Sequence, residues 1–507
     1  MRHFRPAALA AALFLCASFA AHAQGVLRIG INEDPDTLDP TVNRLASGRQ
    51  PMTAICDKLF DVSADDLSLV PQLATGYEVA DDGMSFTLSL REGVKFHDGE
   101  PFDAEAVRFN FDRHMNTSGS FRRTELAAVD SVEVVDPQTV RVRLKSPQAS
   151  IVLVNLAERA GMMVAPAAAQ KLGERFGTAP VCAGEYRFVE RVPQGRIVVE
   201  RFADYWDPTP GGPDRVEYLP ISDSTVRLSA LRSGEIHIAE RLTPTDLPQL
   251  EGDARVKVVS APDLGYHHIR YNSNNGAMAK TFSDVRVRKA VDLAIDRQAI
   301  VKALFNDQYL AGNQFVSPQS QYYDQAHPVP ARDVEASRRL LAEAGVPNLT
   351  FTLLVPAERE RQEAAQFVQA MLAEAGITMR LETQENAVML QNSRRGQFEA
   401  VFSFWSGRPH PDGNMFSHVS CQGPQNDSKY CNEELDAVLN KARETNDADE
   451  RRKLYQQANG ILAENVTASI LWHRRTFTGV SSSLQGFVPH PDSTIRVKGM
   501  KMPPPTR

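Results

Sequence analysis

The chain has 507 residues, of which 42% are hydrophobic and 23% charged, with a formal net charge of −7. These ordinary values exclude a disordered or repetitive protein, and the acidic balance argues against nucleic acid or an anionic membrane surface as a partner. Single cores stop growing at about 250–300 residues, so a chain of this length forms more than one domain.

Arg2 and Arg5 precede an apolar run at 7–20 and the small residues Ala21 and Ala23 of "AHA". This pattern predicts a cleavable signal peptide over 1–23. The run is shorter than the ~20 apolar residues that span a bilayer, and nothing later is long enough, so a soluble exported protein is expected. The residues "LFL" before Cys16 lack the small residue of a lipidation site, so no lipid anchor is expected there.

After the leader, "VLRIGI" predicts a strand and "NEDPDTLDP" an irregular turn, whose Asp34, Asp36 and Asp39 read as turn acids in preference to a metal site. "FTLSLREGVKF" places Phe86, Leu88 and Leu90 on one strand face. The chain then turns at "HDG" into a helix with Asp103 as N-cap, Phe102 and Val107 as a hydrophobic staple, and Glu105 in the first turn. His97 and Asp98 are therefore read as parts of a corner, not of a reaction centre.

"SVEVVDPQTVRVRL" and "GEYRFVERVPQGRIVVERF" predict two hairpins. From Asp284 onward helical patterns alternate with the strands "LTFTLLV" and "ITMRLET", and two helices stop at Gly345 and Gly376. This alternation predicts an α/β lobe with a partly parallel sheet. "EELDAVLNKARETNDADERRKLYQQANGILAEN" predicts two helices split at "TNDAD", and the strand-like "ASILWHRRTFTGV" follows.

Four cysteines follow the leader, and an even count in an exported chain reads as disulfides. Cys421 and Cys431 bracket a turn-rich loop and are expected to pair. Cys56 and Cys182 form either a second bridge or two buried thiols.

No G-x-S-x-G, H-E-x-x-H, P-loop, G-x-G-x-x-G or C-x-x-C motif is present, which lowers the expectation of an enzyme. His267 and His268 are adjacent in a strand and point to opposite faces, a poor arrangement for two zinc ligands. No metal site and no cofactor is expected.

"LREGVKFHDGEPFDAEAVRFNFDR" resembles the hallmark of the family 5 extracellular solute-binding proteins of ABC transporters, whose members include dipeptide, oligopeptide and nickel binders. The resemblance continues through "DTLDP", "LVPQLATGYEV", "PVCAGEYRF", "ERFADYW", "RLSALRSGEI", "FSDVRVRKAVDLAIDR", "EASRRLLAEAG" and "ADERRKLYQQANGILAEN". It implies a two-lobed α/β periplasmic-binding-protein fold of type II, with a hinge. Lobe I is expected at 24–273 plus 480–507, with an extra subdomain at roughly 65–180, and lobe II at 274–479. The implied role is a monomeric periplasmic receptor that captures a small peptide or related polar solute for a permease and ATPase complex in the inner membrane. A nickel-chelate receptor and a ligand sensor for a chemoreceptor are the alternatives.

In the peptide binders of that family an Asp in the loop after a central Trp pairs with the ligand ammonium. Here "FWSGRPHPDGN" keeps Trp405 and Gly407 but has Arg408 at that position, which implies an anionic or zwitterionic ligand unless Arg408 instead bridges to Asp412. The family's carboxylate-binding arginine falls near Val355, with Arg359 or Arg361 as substitutes. His410 and Asp412 read equally as ligand contacts or loop scaffold. Tyr266 and His268 on one strand face, and Tyr186 beside "CAG", complete the expected pocket or belong to the core.

Overall fold

The computed structural model describes residues 25–65, 67–208, 212–276, 279–445 and 447–502. The leader read at 1–23 and its cleavage point lie outside the described residues. The strand Val26–Ile31 buries Leu27, Ile29 and Ile31 completely. It pairs in parallel with Arg215–Pro220 on one side and Ile238–Ala239 on the other, and both neighbours restrict it to apolar inward positions.

These three strands belong to a sheet of eleven, which continues outward through Arg196–Arg201 to Tyr186–Val192. In the other direction it passes through two long antiparallel strands, Ala468–Ser481 and Val256–Tyr271, to Ala400–Trp405, Thr350–Pro356 and Thr378–Gln384. The last three run parallel to one another and carry the helices Arg359–Glu374 and Asn386–Arg394 in their connections. The result is a two-lobed α/β fold with the two long strands side by side in the middle of its large sheet.

The register between the long strands shifts between Pro262 and Tyr266 and again between His267 and His268. Proline cannot donate to the ladder and a bulge leaves a residue unpaired, so the ladder is interrupted beside His267 and His268, which line the cavity.

A separate four-stranded sheet, Ala74–Val79, Ser85–Leu90, Thr139–Leu144 and Val129–Asp136, packs against the helix Ala104–Asn116. Phe86, Leu88 and Leu90 alternate into this core, as the period of two predicts, and each buried side chain of that size contributes about 1.5–3 kcal/mol.

The corner after Leu90 is held by local bonds. Asp103 accepts the Ala106 N–H at 2.9 Å, while Phe102 and Val107 are both buried in the same core. Gly99 turns with φ +90°, a value that only glycine adopts freely. His97 receives its polar partners from the Cys182–Gly184 segment: its N–H donates to the Cys182 carbonyl at 2.8 Å and its Nε2 lies 2.9 Å from the Gly184 carbonyl. Cys182 is bonded in turn to Cys56, so both expected and open cysteine pairs are disulfides, Cys56–Cys182 and Cys421–Cys431.

The three early acids are also accounted for locally. Asp34 pairs with Arg191 at 3.0 Å and Asp39 with Arg113 at 2.6 Å, while Asp36 accepts the Arg44 N–H at 2.8 Å. The segment after Trp405 departs from the expected loop, because residues Asp412–Val419 form a helix. Its start is hidden in sequence by the Pro411-Asp412-Gly413 run, which resembles a turn.

Candidate functional site

A cavity of about 1300 Å³ opens between the two halves of the sheet. Among the described residues its lining includes twelve arginines and no lysine. In a chain whose net charge is negative, this concentrates planar, permanently charged donors at one place.

The best-defined part of the wall follows the strand Ala400–Trp405. Trp405 Nε1 donates to Asn414 Oδ1 at 2.9 Å, and the same oxygen accepts the Arg408 N–H at 2.7 Å. Asn414 Nδ2 returns a bond to the Arg408 carbonyl at 3.2 Å, so one amide fixes both residues. Gly407 has φ +71°, and a Cβ there would lie 2.2 Å from the Leu264 carbonyl oxygen. A Cβ at Gly413 would lie 2.6 Å from Arg408 Cγ, so the helix start is shaped to leave room for the arginine.

The Arg408 guanidinium lies 4.6 Å from the centre of the Trp405 ring, and His418 meets the same ring edge-on at 4.3 Å. Arg408 Nη1 donates only to the Ser406 hydroxyl at 3.3 Å and the Gly407 carbonyl at 2.7 Å. No carboxylate among the described residues lies within ion-pair distance of it. Burial pushes this guanidinium down from its ordinary value, while Glu158 opposes the shift. The alternative of a bridge to Asp412 is therefore not formed. Asp412 instead pairs with Arg443 at 3.2 Å and accepts the Tyr455 hydroxyl at 3.3 Å, and burial raises its carboxyl.

Of the other expected residues, His268 lines the cavity with its Nδ1 unpartnered, while Tyr266 lies just behind the wall. The Tyr266 hydroxyl donates to the Asn414 carbonyl at 3.2 Å and its ring packs 5.4 Å from His268. Tyr186 is a correction: it is fully buried in the opposite core, its hydroxyl donates to the Pro213 carbonyl at 2.9 Å, and it does not line the cavity. It begins the outermost strand of the sheet, which no local sequence signal could place. His410 lines no part of the cavity either, lying between Tyr322 and Tyr455. Val355 is buried in its strand, Arg359 pairs with Glu363 at 3.7 Å and Arg361 pairs with Glu358.

At the opposite end sequence reasoning named Arg361 but missed Glu33, Glu358, Glu360, Arg241 and Arg474, which face the cavity with it. Burial raises Glu33, with Arg241 opposing and Glu358 reinforcing. Burial pushes Glu360 up to about 7 against the pull of Arg474. His267 stacks on Trp472 at 4.7 Å with 16° between the rings, beside Phe404, and neither ring nitrogen has a hydrogen-bond partner. The wall can thus receive an anion beside Arg408, while at the opposite end Glu33 and Glu360 are carboxylates that no arginine among the described residues pairs within ion-pair distance. Among the described residues no cluster of three or more His, Cys, Asp or Glu is placed to hold a metal ion.

The family description "Bacterial extracellular solute-binding proteins, family 5 Middle" matches residues 68–427. The chain belongs to this family of solute-binding proteins. The glutathione-binding protein GsiB of Salmonella paratyphi A is 30% identical over 492 residues, covering 94% of each chain. The protein of the same name from Escherichia coli K12 is 30% identical over 501 residues, covering 96% of each.

Among solved structures of the family's fold, periplasmic binding protein DppA of Helicobacter pylori, in complex with the peptide STSA, matches with a TM-score of 0.86 and 25% identity. It covers 94% of this chain and 98% of its own. AgaA of A. tumefaciens R10, in complex with agropinic acid, matches with a TM-score of 0.85 and 26% identity over 94% of this chain and 99% of its own. No helix among the described residues is long and apolar enough to cross a membrane.

Proposed function

We propose that this family 5 protein is the periplasmic receptor of an ABC permease and ATPase, acting as a monomer, and that its cleft takes a small anionic or zwitterionic solute of peptide or conjugate type. The observation that carries this reading is Arg408, held over Trp405 by Asn414 and facing the cavity with no carboxylate partner. A guanidinium in that state favours a bidentate carboxylate, and a charge-assisted hydrogen bond contributes about 1.5–3 kcal/mol. Glu33 and Glu360, which no arginine pairs within ion-pair distance among the described residues, supply a place for an ammonium at the other end.

The relatives named for glutathione and the fold neighbour holding agropinic acid support ligands of this class. Glutathione itself carries two carboxylates and one ammonium. We infer a lobe I at 24–273 plus 480–507 and a lobe II at 274–479, with the paired strands Val256–Tyr271 and Ala468–Ser481 at their junction. Closure removes water from the trapped charges and creates the form a permease recognises, to the extent that the ligand prefers the closed state.

The test is calorimetric titration with glutathione, dipeptides, opine-type conjugates and neutral amide derivatives of each. Binding of acidic compounds, lost on amidation and weakened in Arg408→Ala, is the expected result. Equal binding of acids and amides sinks the reading.

A further inference from the structure

Three residues from distant parts of the chain meet at another point of the cavity wall. Arg44 follows the early acidic turn, Phe121 lies beyond the helix Ala104–Asn116, and Arg394 ends the helix Asn386–Arg394. All three line the cavity. The Arg44 guanidinium lies 5.9 Å and that of Arg394 5.4 Å from the centre of the same Phe121 ring.

Each guanidinium is attracted to the ring, but each also repels the other. Neither has a carboxylate within ion-pair distance among the described residues. The acids whose fields reach Arg44 are Asp427 and Asp36, and neither pairs with its guanidinium. Asp36 accepts the Arg44 and Asn43 N–H groups, and Asp427 pairs with Arg270 at 3.5 Å. A helix C-terminus explains why an arginine suits position 394, yet it does not explain why that side chain reaches the aromatic ring used by Arg44.

We propose that Arg44, Phe121 and Arg394 form a second anion subsite that bridges the two halves of the cleft, so that the preferred solute carries at least two acidic groups. This inference rests on the solute-receptor reading above and narrows its ligand class to dianionic compounds. One acid is bound at Arg408. The other enters between Arg44 and Arg394, where it replaces the repulsion of two like charges with two charge-assisted contacts. A monoacid leaves that repulsion in place and closes the cleft less well.

The experiment has two arms, run on wild type, Arg44→Gln, Arg394→Gln and Arg408→Gln. In the first, thermal unfolding is followed in sodium sulfate against sodium chloride at equal ionic strength. A sulfate-specific rise of about 2 °C or more is expected in wild type and at most half of it in the Arg44 and Arg394 variants.

In the second arm, glutathione is compared with its glycine-carboxyl monoethyl ester by calorimetry. Wild type is expected to prefer the diacid by about tenfold or more, and Arg394→Gln to bind the two alike. Arg44 and Arg394 variants that match wild type in the sulfate arm overturn the subsite, as does an unchanged diacid preference in Arg394→Gln. Failure of glutathione to bind any version, with the sulfate difference intact, counts against a peptide-like ligand and still supports the subsite.

Discussion

Arg408 and Trp405 form a stacked pair, 4.6 Å from guanidinium carbon to ring centre, at the end of a central strand, and Asn414 Oδ1 accepts an N–H from each of them. Asn414 fixes the pair through contacts within the protein, so little ordering entropy remains to be lost when an acidic group binds.

Replacing Arg408 by glutamine keeps polar volume and removes the charge. The affinity for a carboxylate ligand is expected to fall about 10- to 100-fold, with no change in the unfolding midpoint beyond about 2 °C. Arg408→Asp is expected to abolish acid binding. Calorimetry on the two variants decides, and retention of wild-type affinity in Arg408→Gln removes the arginine from the site.

Asp412 and Arg443 behave differently, since their side chains are only 10% and 12% exposed and form an ion pair at 3.2 Å. Arg443→Ala leaves a buried carboxylate with only Tyr455 as donor and removes the cation held 3.8 Å over Phe416. A loss of about 3–5 kcal/mol in urea unfolding is expected. Asp412→Asn is expected to cost less, because its neutral amide retains hydrogen-bonding capacity. A loss below about 1 kcal/mol for Arg443→Ala contradicts this account.

The two disulfides close loops of very different length, with sequence separations of 10 and 126. In the chain-entropy model the short bridge contributes about 3 kcal/mol and the long one about 5 kcal/mol. Cys56→Ala with Cys182→Ala is therefore expected to lower the unfolding free energy more than Cys421→Ala with Cys431→Ala. The reverse order in denaturant titrations refutes the entropic ranking.

Nine histidines are pushed below their ordinary value, in every case chiefly by burial. His97, His473 and His490 fall to about 4, and His114 and His410 to about 3. The unfolded chain takes up protons near 6.5 that the folded chain refuses, so this part of stability is present above 6.5 and is lost as pH falls toward 4.

Asp57, raised to about 6, and Glu185 and Glu360, raised to about 7, act in the opposite sense and are fewer. Their contribution is present at low pH and lost as pH rises through 6–7. The unfolding free energy is expected to fall between pH 7 and pH 5, by about 1.4 kcal/mol per pH unit for each net proton taken up. His267→Phe, which keeps the stack on Trp472, is expected to flatten that limb by up to one proton. Equal stability at pH 7 and pH 5 rules the mechanism out.

Most elements were legible because their signals are local. Asp103 caps a helix three residues from the amide it binds, and Gly345 and Gly376 stop helices with φ +76° and +82°. The hairpin around Asp136-Pro137 needs only alternation and a turn. The helix Asp412–Val419 escaped because proline, aspartate and glycine at a helix start look the same as a turn. Tyr266 reads as pocket or core because strand alternation gives a face, and Tyr186 because it stands beside the "CAG" turn; neither signal says whether the side chain meets a cleft or a core.

The sequence by itself determined the α/β elements, the Cys421–Cys431 bridge and the family, each of which depends on residues close together or on motifs in a fixed order. Only the tertiary structure decided that Cys56 meets Cys182, that Asp412 belongs to Arg443 and that Arg408 is left without a carboxylate. It alone brought Arg44 and Arg394 to one aromatic ring. The physical reason is that propensity and periodicity act over a few residues, whereas the cleft is assembled from loops whose directions are set by strand register across the whole sheet.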